Sequence, residues 1–287
     1  MFTIGVFPNI KKAEAALVLD RVVKHLKRYN VQIVMPENDA LAMGYRDFSC
    51  DLEKIKHNID LAVTLGGDGT FLQTAREVAK AGIPVCGINL GKLGFLAEIE
   101  PASLEQSLDR LISGEYTVQE RLMLDAFICR DGQELFLSSA LNDAVVTRGG
   151  YSRMIRLKLY LKGELTANYP ADGLIIATST GSTGYSLSAG GPIVSPNLNI
   201  ILITPICPHA LHARPMVVAE QEDVRLVIDA DHDDIVLTID GQHAFKLLAT
   251  DEIVIRRSST LAKFICLNTT GHFCRLRKKL WQADNEK

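Results

Sequence analysis

Leu61-Ala62-Val63-Thr64-Leu65, then Gly66-Gly67-Asp68-Gly69-Thr70, then Phe71-Leu72-Gln73-Thr74-Ala75-Arg76 is the stretch on which the fold turns. The apolar run is too short for a helix and rich in strand formers, and the segment after the glycines suits a helix. A strand that passes directly into a helix through three glycines in four positions lets a phosphate approach the backbone. The helix start adds unpaired N–H groups and a positive dipole end. Asp68 is the lone acid in that turn. A carboxylate there repels phosphate unless a metal or a transferable proton is involved, so Asp68 points to a Mg²⁺ contact or a general-base role. A solvated Asp-Gly turn residue is the plain alternative.

Working outward, residues 2–7 form a short apolar strand, and residues 13–29 place Leu17, Val18, Val22 and Leu26 at helical spacing with charges between them. Strands at 31–35 and 83–88 and a helix at 70–81 complete an alternation of β and α, which predicts a parallel sheet covered by helices. Such sheets bind ligands beyond the carboxyl ends of their strands. Two of those ends carry glycine: the 66–69 loop and Asn89-Leu90-Gly91-Lys92-Leu93-Gly94-Phe95, which are expected to line one crevice. Neither matches a common nucleotide fingerprint. No Gly-x-Gly-x-x-Gly opens a helix, and Gly91-Lys92 lacks the spacing and the Ser/Thr of a P-loop. Lys92 is a candidate phosphate contact, with solvation as its alternative.

A helix over 101–113 ends at Gly114, and the grammar then changes. From about Arg121 short strands follow one another around the hairpin signals Asp131-Gly132, Lys162-Gly163 and Asp240-Gly241. The fold class expected is therefore an N-terminal parallel-sheet α/β domain followed by an all-β, sandwich-like domain. The expected boundaries are 1–118, 119–268 and a basic helical tail at 269–287. Within the second domain, residues 171–192 break the strand pattern, and seven of residues 178–188 are Ser or Thr. Hydroxyls and open N–H groups at that density suit sugar hydroxyls, amides and phosphates; the alternative is a flexible linker. Tyr185 could stack on a base, while Leu187 and Ala189 call for burial. Asn142-Asp143 sits at a strand junction, and an asparagine amide matches an adenine edge. His209 and His212 lack a third ligand nearby, so no metal site is assigned to them.

The formal net charge of -3, from 31 basic and 34 acidic side chains without long runs of one sign, argues against a nucleic-acid partner. No run approaches the ~18 apolar residues of a membrane span, and nothing at the N-terminus resembles a targeting segment, so a soluble cytoplasmic protein is expected. The six cysteines form no Cys-x-x-Cys pair and read as reduced core residues.

Four separated blocks closely resemble the bacterial NAD kinases: 66–70, Asn142-Asp143, 172–192 and 205–215. The first block is shared with lipid kinases and phosphofructokinases; the third is far more specific. The resemblance implies phosphorylation of the adenosine 2′-hydroxyl of NAD by ATP with Mg²⁺, an active site between the two domains, a tail returning to the first, and a homodimer or homotetramer. It implies Asp68 as proton acceptor, Gly66, Gly67 and Gly69 at phosphate, and Gly69 beside the dinucleotide. Asn142 falls at adenine and Asp143 at ribose, where the family usually has the longer glutamate. Asp172 lies near the nicotinamide end, and Thr180 with Thr183, Gly184, Tyr185, Ser186, Leu187 and Ser188 forms the loop around the dinucleotide. Gln242 and Arg153 are further contacts. Ser179 and Gly184 replace a common proline and alanine. A diacylglycerol-type lipid kinase and a non-catalytic NAD sensor are the competing readings; the first leaves the Ser/Thr-rich loop unexplained and the second needs no acid at position 68.

Overall fold

The structure, a computed structural model, describes residues 1–91, 94–150, 153–267 and 272–280. It divides into two compact units, residues 1–120 with 261–287, and residues 121–260.

The first unit runs β1 (Phe2–Pro8), α1 (Glu14–Leu26), β2 (Val31–Pro36), α2 (Glu37–Ala42), β3 (Ser49–Cys50), α3 (Leu52–Asn58), β4 (Leu61–Gly66), α4 (Asp68–Ala79), β5 (Pro84–Asn89), α5 (Leu104–Ser113) and β6 (Thr117–Arg121). The second contributes β7 (Leu124–Arg130), β8 (Gln133–Ala140), β9 (Asp143–Arg148), β10 (Ile155–Leu161), β11 (Glu164–Ala171), β12 (Gly173–Thr178), α6 (Tyr185–Ser188), β13 (Ile200–Ile206), β14 (Met216–Ala219), β15 (Val224–Asp229), β16 (Ile235–Ile239), β17 (His243–Leu247) and β18 (Glu252–Arg257). The chain then re-enters the first unit with β19 (Ala262–Cys266) and α7 (His272–Leu280).

The first sheet has the order β3-β2-β1-β4-β5-β19-β6, and β1, β2, β3, β4, β5 and β19 pair in parallel. Every residue of β4 is buried. That is what a parallel strand covered on both faces requires, and why its sequence reads as one apolar run rather than an alternation. Leu61, Val63 and Leu65 pack in one core with Leu19 and Val22 of α1 and Leu104 and Leu108 of α5. Across the sheet, Phe71 of α4 meets Phe264 of β19 edge to face, ring centres 4.7 Å apart. The helix begins at Asp68, two residues before the expected 70, because Gly67 takes an extended conformation (φ -116°, ψ -169°) and turns the chain there. Asp68 thus lies in the first helical turn, where the dipole favours a negative charge. Gly114 ends α5 as expected, with φ 76°.

The second unit is a sandwich of two antiparallel sheets, β11-β10-β15-β18-β7-β8 and β14-β13-β12-β9-β16-β17. Leu124, Leu157, Leu226 and Ile253 of one sheet share a core with Val146, Leu174, Ile203 and Leu237 of the other. All three predicted hairpins form, each with two consecutive positive φ values: Asp131 53° and Gly132 76°, Lys162 51° and Gly163 79°, Asp240 49° and Gly241 64°. That is the primed turn whose twist matches paired strands. The strand β12 is buried throughout because its outer face is also covered: Ile175 and Ala177, with Val145 and Leu202, pack against Ala189, Val194 and Ile200. At about 1.5–3 kcal/mol per buried large aliphatic side chain, this small cluster anchors the hydroxyl-rich segment that follows β12.

Candidate active site

At the carboxyl end of β4, Asp68 is held by backbone. Its Oδ2 accepts a hydrogen bond from the N–H of Phe95 at 2.9 Å and its Oδ1 one from the N–H of Leu96 at 3.2 Å. The carboxylate lies flat against Gly94, where a Cβ would come within 2.0 Å of Oδ1. Only glycine leaves that space. A carboxylate has about four acceptor directions, so roughly two remain for other partners. Nearby, Asn9 Nδ2 donates to Thr70 Oγ1 at 3.1 Å, tying the end of β1 to the glycine turn. Gly94→Ala is expected to displace the Asp68 carboxylate and lower turnover by at least about 10-fold, since misplacements near 1 Å cost up to ~10²-fold. Steady-state kinetics beside a thermal melt would check it, a large loss of rate with a small loss of stability being the expected pair.

The tail packs close to this point. Lys279 places its ammonium 3.9 Å from the centre of the Phe95 ring. Burial pulls its pKa down, against the attraction of Asp68. Arg275 is paired with Glu98, whose side chain is only 5% exposed. Leu276 beside it is buried, so the helix is drawn in by its apolar side and Arg275 is paired rather than hydrated. Lys92 lies outside the described residues.

The second unit carries a cavity of about 180 Å³ lined by Asn142, Asp143, Tyr185, Thr238, Asp240 and Gly241 among others. Asp240 is its organising group. Its Oδ1 accepts from the N–H groups of Asn142 (2.7 Å) and Asp143 (3.0 Å), and its Oδ2 from that of Leu141 (3.0 Å). The hairpin turn therefore fixes the backbone that presents Asn142 and Asp143. On the other side Asn142 O accepts from the N–H of Thr178 at 2.8 Å, and Gly181 lies so close that a Cβ would fall 2.2 Å from the same oxygen. Asn142 Oδ1 is buried without a partner, an acceptor left open at the cavity. The space above Gly184 is bounded by Asn142 Nδ2, 3.4 Å from where a Cβ would stand, and by Asp143 Oδ2 at 3.8 Å.

Burial and the neighbouring Asp240 push the Asp143 carboxyl up to about 7. An aspartate whose pKa is raised on folding binds more protons folded than unfolded between pH ~4 and ~7, so its contribution to stability falls as pH rises through that window. With about three units at 1.36 kcal/mol each, the loss is at most ~4 kcal/mol by pH 8. Asp143→Asn is expected to be more stable than the parent at pH 8, to lose that advantage near pH 4, and to show a flatter profile between. Urea unfolding at the two pH values reads it directly.

The hydroxyl-rich segment is partly spent on itself. Ser186 Oγ bonds Thr204 Oγ1 at 2.9 Å, Thr183 Oγ1 donates to Thr180 O at 3.4 Å, and Ser179 donates to Leu198 O. Thr180 and Ser186 are buried, Leu187 is half-buried, and Tyr185 and Ser188 face solvent. Asp172 is paired with Arg148 at 2.7 Å, and Arg153 with Asp231 at 3.4 Å on an exposed surface. Gln242 follows the hairpin turn, its N–H donating to Ile239 O at 2.9 Å. The structure thus gathers Asn142, Asp143 and Tyr185 around one cavity, whose walls include neither Asp172, Arg153 nor Gln242.

Two family models divide the chain between them: the ATP-NAD kinase N-terminal domain matches residues 4–116 and the ATP-NAD kinase C-terminal domain residues 141–267. The chain belongs to the ATP-NAD kinase family. The NAD kinase of Heliobacterium modesticaldum is 44% identical to it over 283 residues, covering 99% of this chain and 100% of that protein. The NAD kinase of Natranaerobius thermophilus is 40% identical over 280 residues, covering 98% of each. Among solved structures, yeast NADH kinase in complex with NADH superposes with a TM-score of 0.91 at 26% identity, over 100% of this chain and 89% of that one. An NAD kinase from Archaeoglobus fulgidus in complex with ATP gives 0.78 at 25% identity, over the whole of both. As an NAD kinase family member the chain is a phosphotransferase, in keeping with its α/β and antiparallel β units. No helix among its described residues is long and apolar enough to cross a membrane.

For this kinase, sequence reasoning missed Asp240 as an anchor and Gly94 as the bed of Asp68. Asp240 was legible only as a hairpin residue. Its carboxylate reaches backbone 97 to 99 residues away, a contact with no local signature.

Proposed function

We propose that the chain transfers the γ-phosphoryl group of ATP to the 2′-hydroxyl of the adenosine ribose of NAD, yielding NADP and ADP. The observation that carries this reading is Asp68: a carboxylate oriented by two N–H groups, with acceptor capacity left over, at the head of a helix that follows a glycine turn. A ribose hydroxyl is a poor nucleophile at neutral pH. Asp68 accepts its proton as the oxygen attacks phosphorus, the bond to the β,γ-bridging oxygen breaks, and ADP leaves. Such general-base help is worth on the order of 10²- to 10⁴-fold. The glycine turn at 66–69 and the start of α4 stabilise the negative charge spread over the transferred group.

In this reading Asn142 holds the adenine edge and Asp143 the ribose hydroxyls, with Tyr185 against the base. Gly69, Asp172, Arg153, Thr180, Thr183, Gly184, Ser186, Leu187, Ser188 and Gln242 complete the dinucleotide contacts. Among the described residues no cluster of three His, Cys, Asp or Glu side chains could hold a metal. The donor set therefore fits Mg²⁺ carried by the donor phosphates with at most one carboxylate, Asp68, which is how this ion is usually bound. When bound, Mg²⁺ neutralises phosphate charge. Self-association as a dimer or tetramer belongs to the same proposal. The test is the position of the new phosphate: ³¹P and ¹H NMR of the product of NAD and ATP should place it on the 2′-oxygen of the adenosine ribose, and a phosphate elsewhere would contradict the assignment.

A further inference from the structure

Lys12 stands outside everything described so far. It follows β1, its side chain is half-buried, and its Nζ makes a single long contact, to Leu90 O at 3.5 Å. Among the described residues no carboxylate pairs with it. A half-buried ammonium without a counter-ion is a costly arrangement unless an anion arrives. What lies in front of it is bare backbone from both glycine loops: a Cβ on Gly91 would stand 3.4 Å from Nζ, and one on Gly67 3.9 Å. Gly67 is the residue that caps α4, and it offers no side chain to satisfy the first N–H groups of that helix. The loop geometry is held by Asn89, only 4% exposed, whose Nδ2 donates to Gly91 O at 3.1 Å and whose Oδ1 has no partner.

This cradle adjoins a cavity of roughly 800 Å³ in the first unit, which shares Leu90 and Gly91 with it. Its walls combine apolar Leu17, Val18, Leu90 and Pro101 with two acidic and two basic side chains of α1. Leu17 is 74% exposed, on a helix that buries its neighbours Val18 and Leu19. A slot with an apolar strip for a base and charged side chains beside it, adjoining a cationic cradle, suits a nucleoside triphosphate.

Resting on the kinase reading above, we infer that Lys12 and the groove along α1 form the binding site of the phosphoryl donor. The ammonium bridges the donor phosphates over Gly67 and Gly91, and the nucleoside lies against Leu17 and Leu90. Lys12 is then the cation that a glycine turn lacking P-loop spacing must borrow from the loop after β1.

The test is calorimetric titration of NAD-saturated protein with the β,γ-imido analogue of ATP and, separately, with inorganic tripolyphosphate, both with Mg²⁺. Lys12→Gln is expected to weaken both ligands by at least about 10-fold and Lys12→Arg to restore them to within a few-fold, because the cation serves the phosphates. Leu17→Ser is expected to weaken only the nucleotide, by about 5- to 10-fold, through lost apolar contact. NAD affinity should be unchanged in all three. Tripolyphosphate binding to Lys12→Gln at parental affinity overturns the role of Lys12, and nucleotide binding to Leu17→Ser at parental affinity overturns the groove. NADP formation by the parent protein is read in parallel: if it is present while the variants bind normally, the donor site alone is wrong, and if it is absent the kinase reading itself has failed.

Discussion

Asp68→Asn is expected to bind NAD with the affinity of the parent and to turn over at least ~100-fold more slowly, the lower bound of what a positioned general base supplies. The substitution is nearly isosteric, and the N–H groups of Phe95 and Leu96 that approach the two carboxylate oxygens at 2.9 and 3.2 Å define what it changes. One oxygen becomes an amide that no longer accepts, so one of those two bonds is lost and the side chain must choose its flip. The cavity of the second unit that is proposed to hold the adenosine of NAD is lined by Asn142, Asp143, Tyr185 and Asp240 and not by residue 68, which is why binding should survive. Equal turnover of variant and parent would remove Asp68 from the role of base. Loss of NAD binding in step with loss of rate would make it a binding residue.

The second large effect is expected at Asp240. Asp240→Ala removes the acceptor for three backbone N–H groups, those of Leu141, Asn142 and Asp143. Leaving a buried donor unsatisfied costs about 1–3 kcal/mol. Relief of the repulsion with Asp143 and water entering the adjoining cavity offset part of this, so the net loss should be about 3–5 kcal/mol, in the range reserved for breaking a buried network. Equilibrium urea unfolding at pH 7 measures it, and NAD affinity should fall with it because the backbone carrying Asn142 is no longer fixed. Asp240→Ala and Asp143→Asn change adjacent carboxylates and are expected to move stability in opposite directions at pH 8. A loss below about 1 kcal/mol in Asp240→Ala would show that the three N–H groups find water instead.

What the sequence disclosed and what it withheld divide along range. The β4–glycine–α4 junction is local, decided by five strand formers and three glycines, and it forms as expected with the helix starting two residues early. The three hairpins are local too, since Asp-Gly and Lys-Gly pairs tolerate two consecutive positive φ values. The strand β19 shows the opposite case. Ala262-Lys263-Phe264-Ile265-Cys266 reads as a strand like its predecessors, yet it pairs in parallel with β5 in the first sheet. Nothing within five residues specifies a partner more than 170 positions back. The same limit hid the seating of Asp68 on Gly94, the reach of Asp240, and the pairing of Arg275 with Glu98, each of which depends on elements far apart in the chain. The hydroxyl-rich segment lies between these cases. Its composition marked it as unusual, but composition does not tell hydroxyls that bind a ligand from hydroxyls such as Ser186, which closes a bond to Thr204.

The most direct test of the account is a coupled assay in which the purified protein is given NAD, ATP and Mg²⁺, and NADP is read continuously through an NADP-specific dehydrogenase. Steady NADP formation that needs all three components is expected. Tight binding of NAD with no NADP formed from ATP would contradict it and leave the protein a binder of the dinucleotide rather than its kinase.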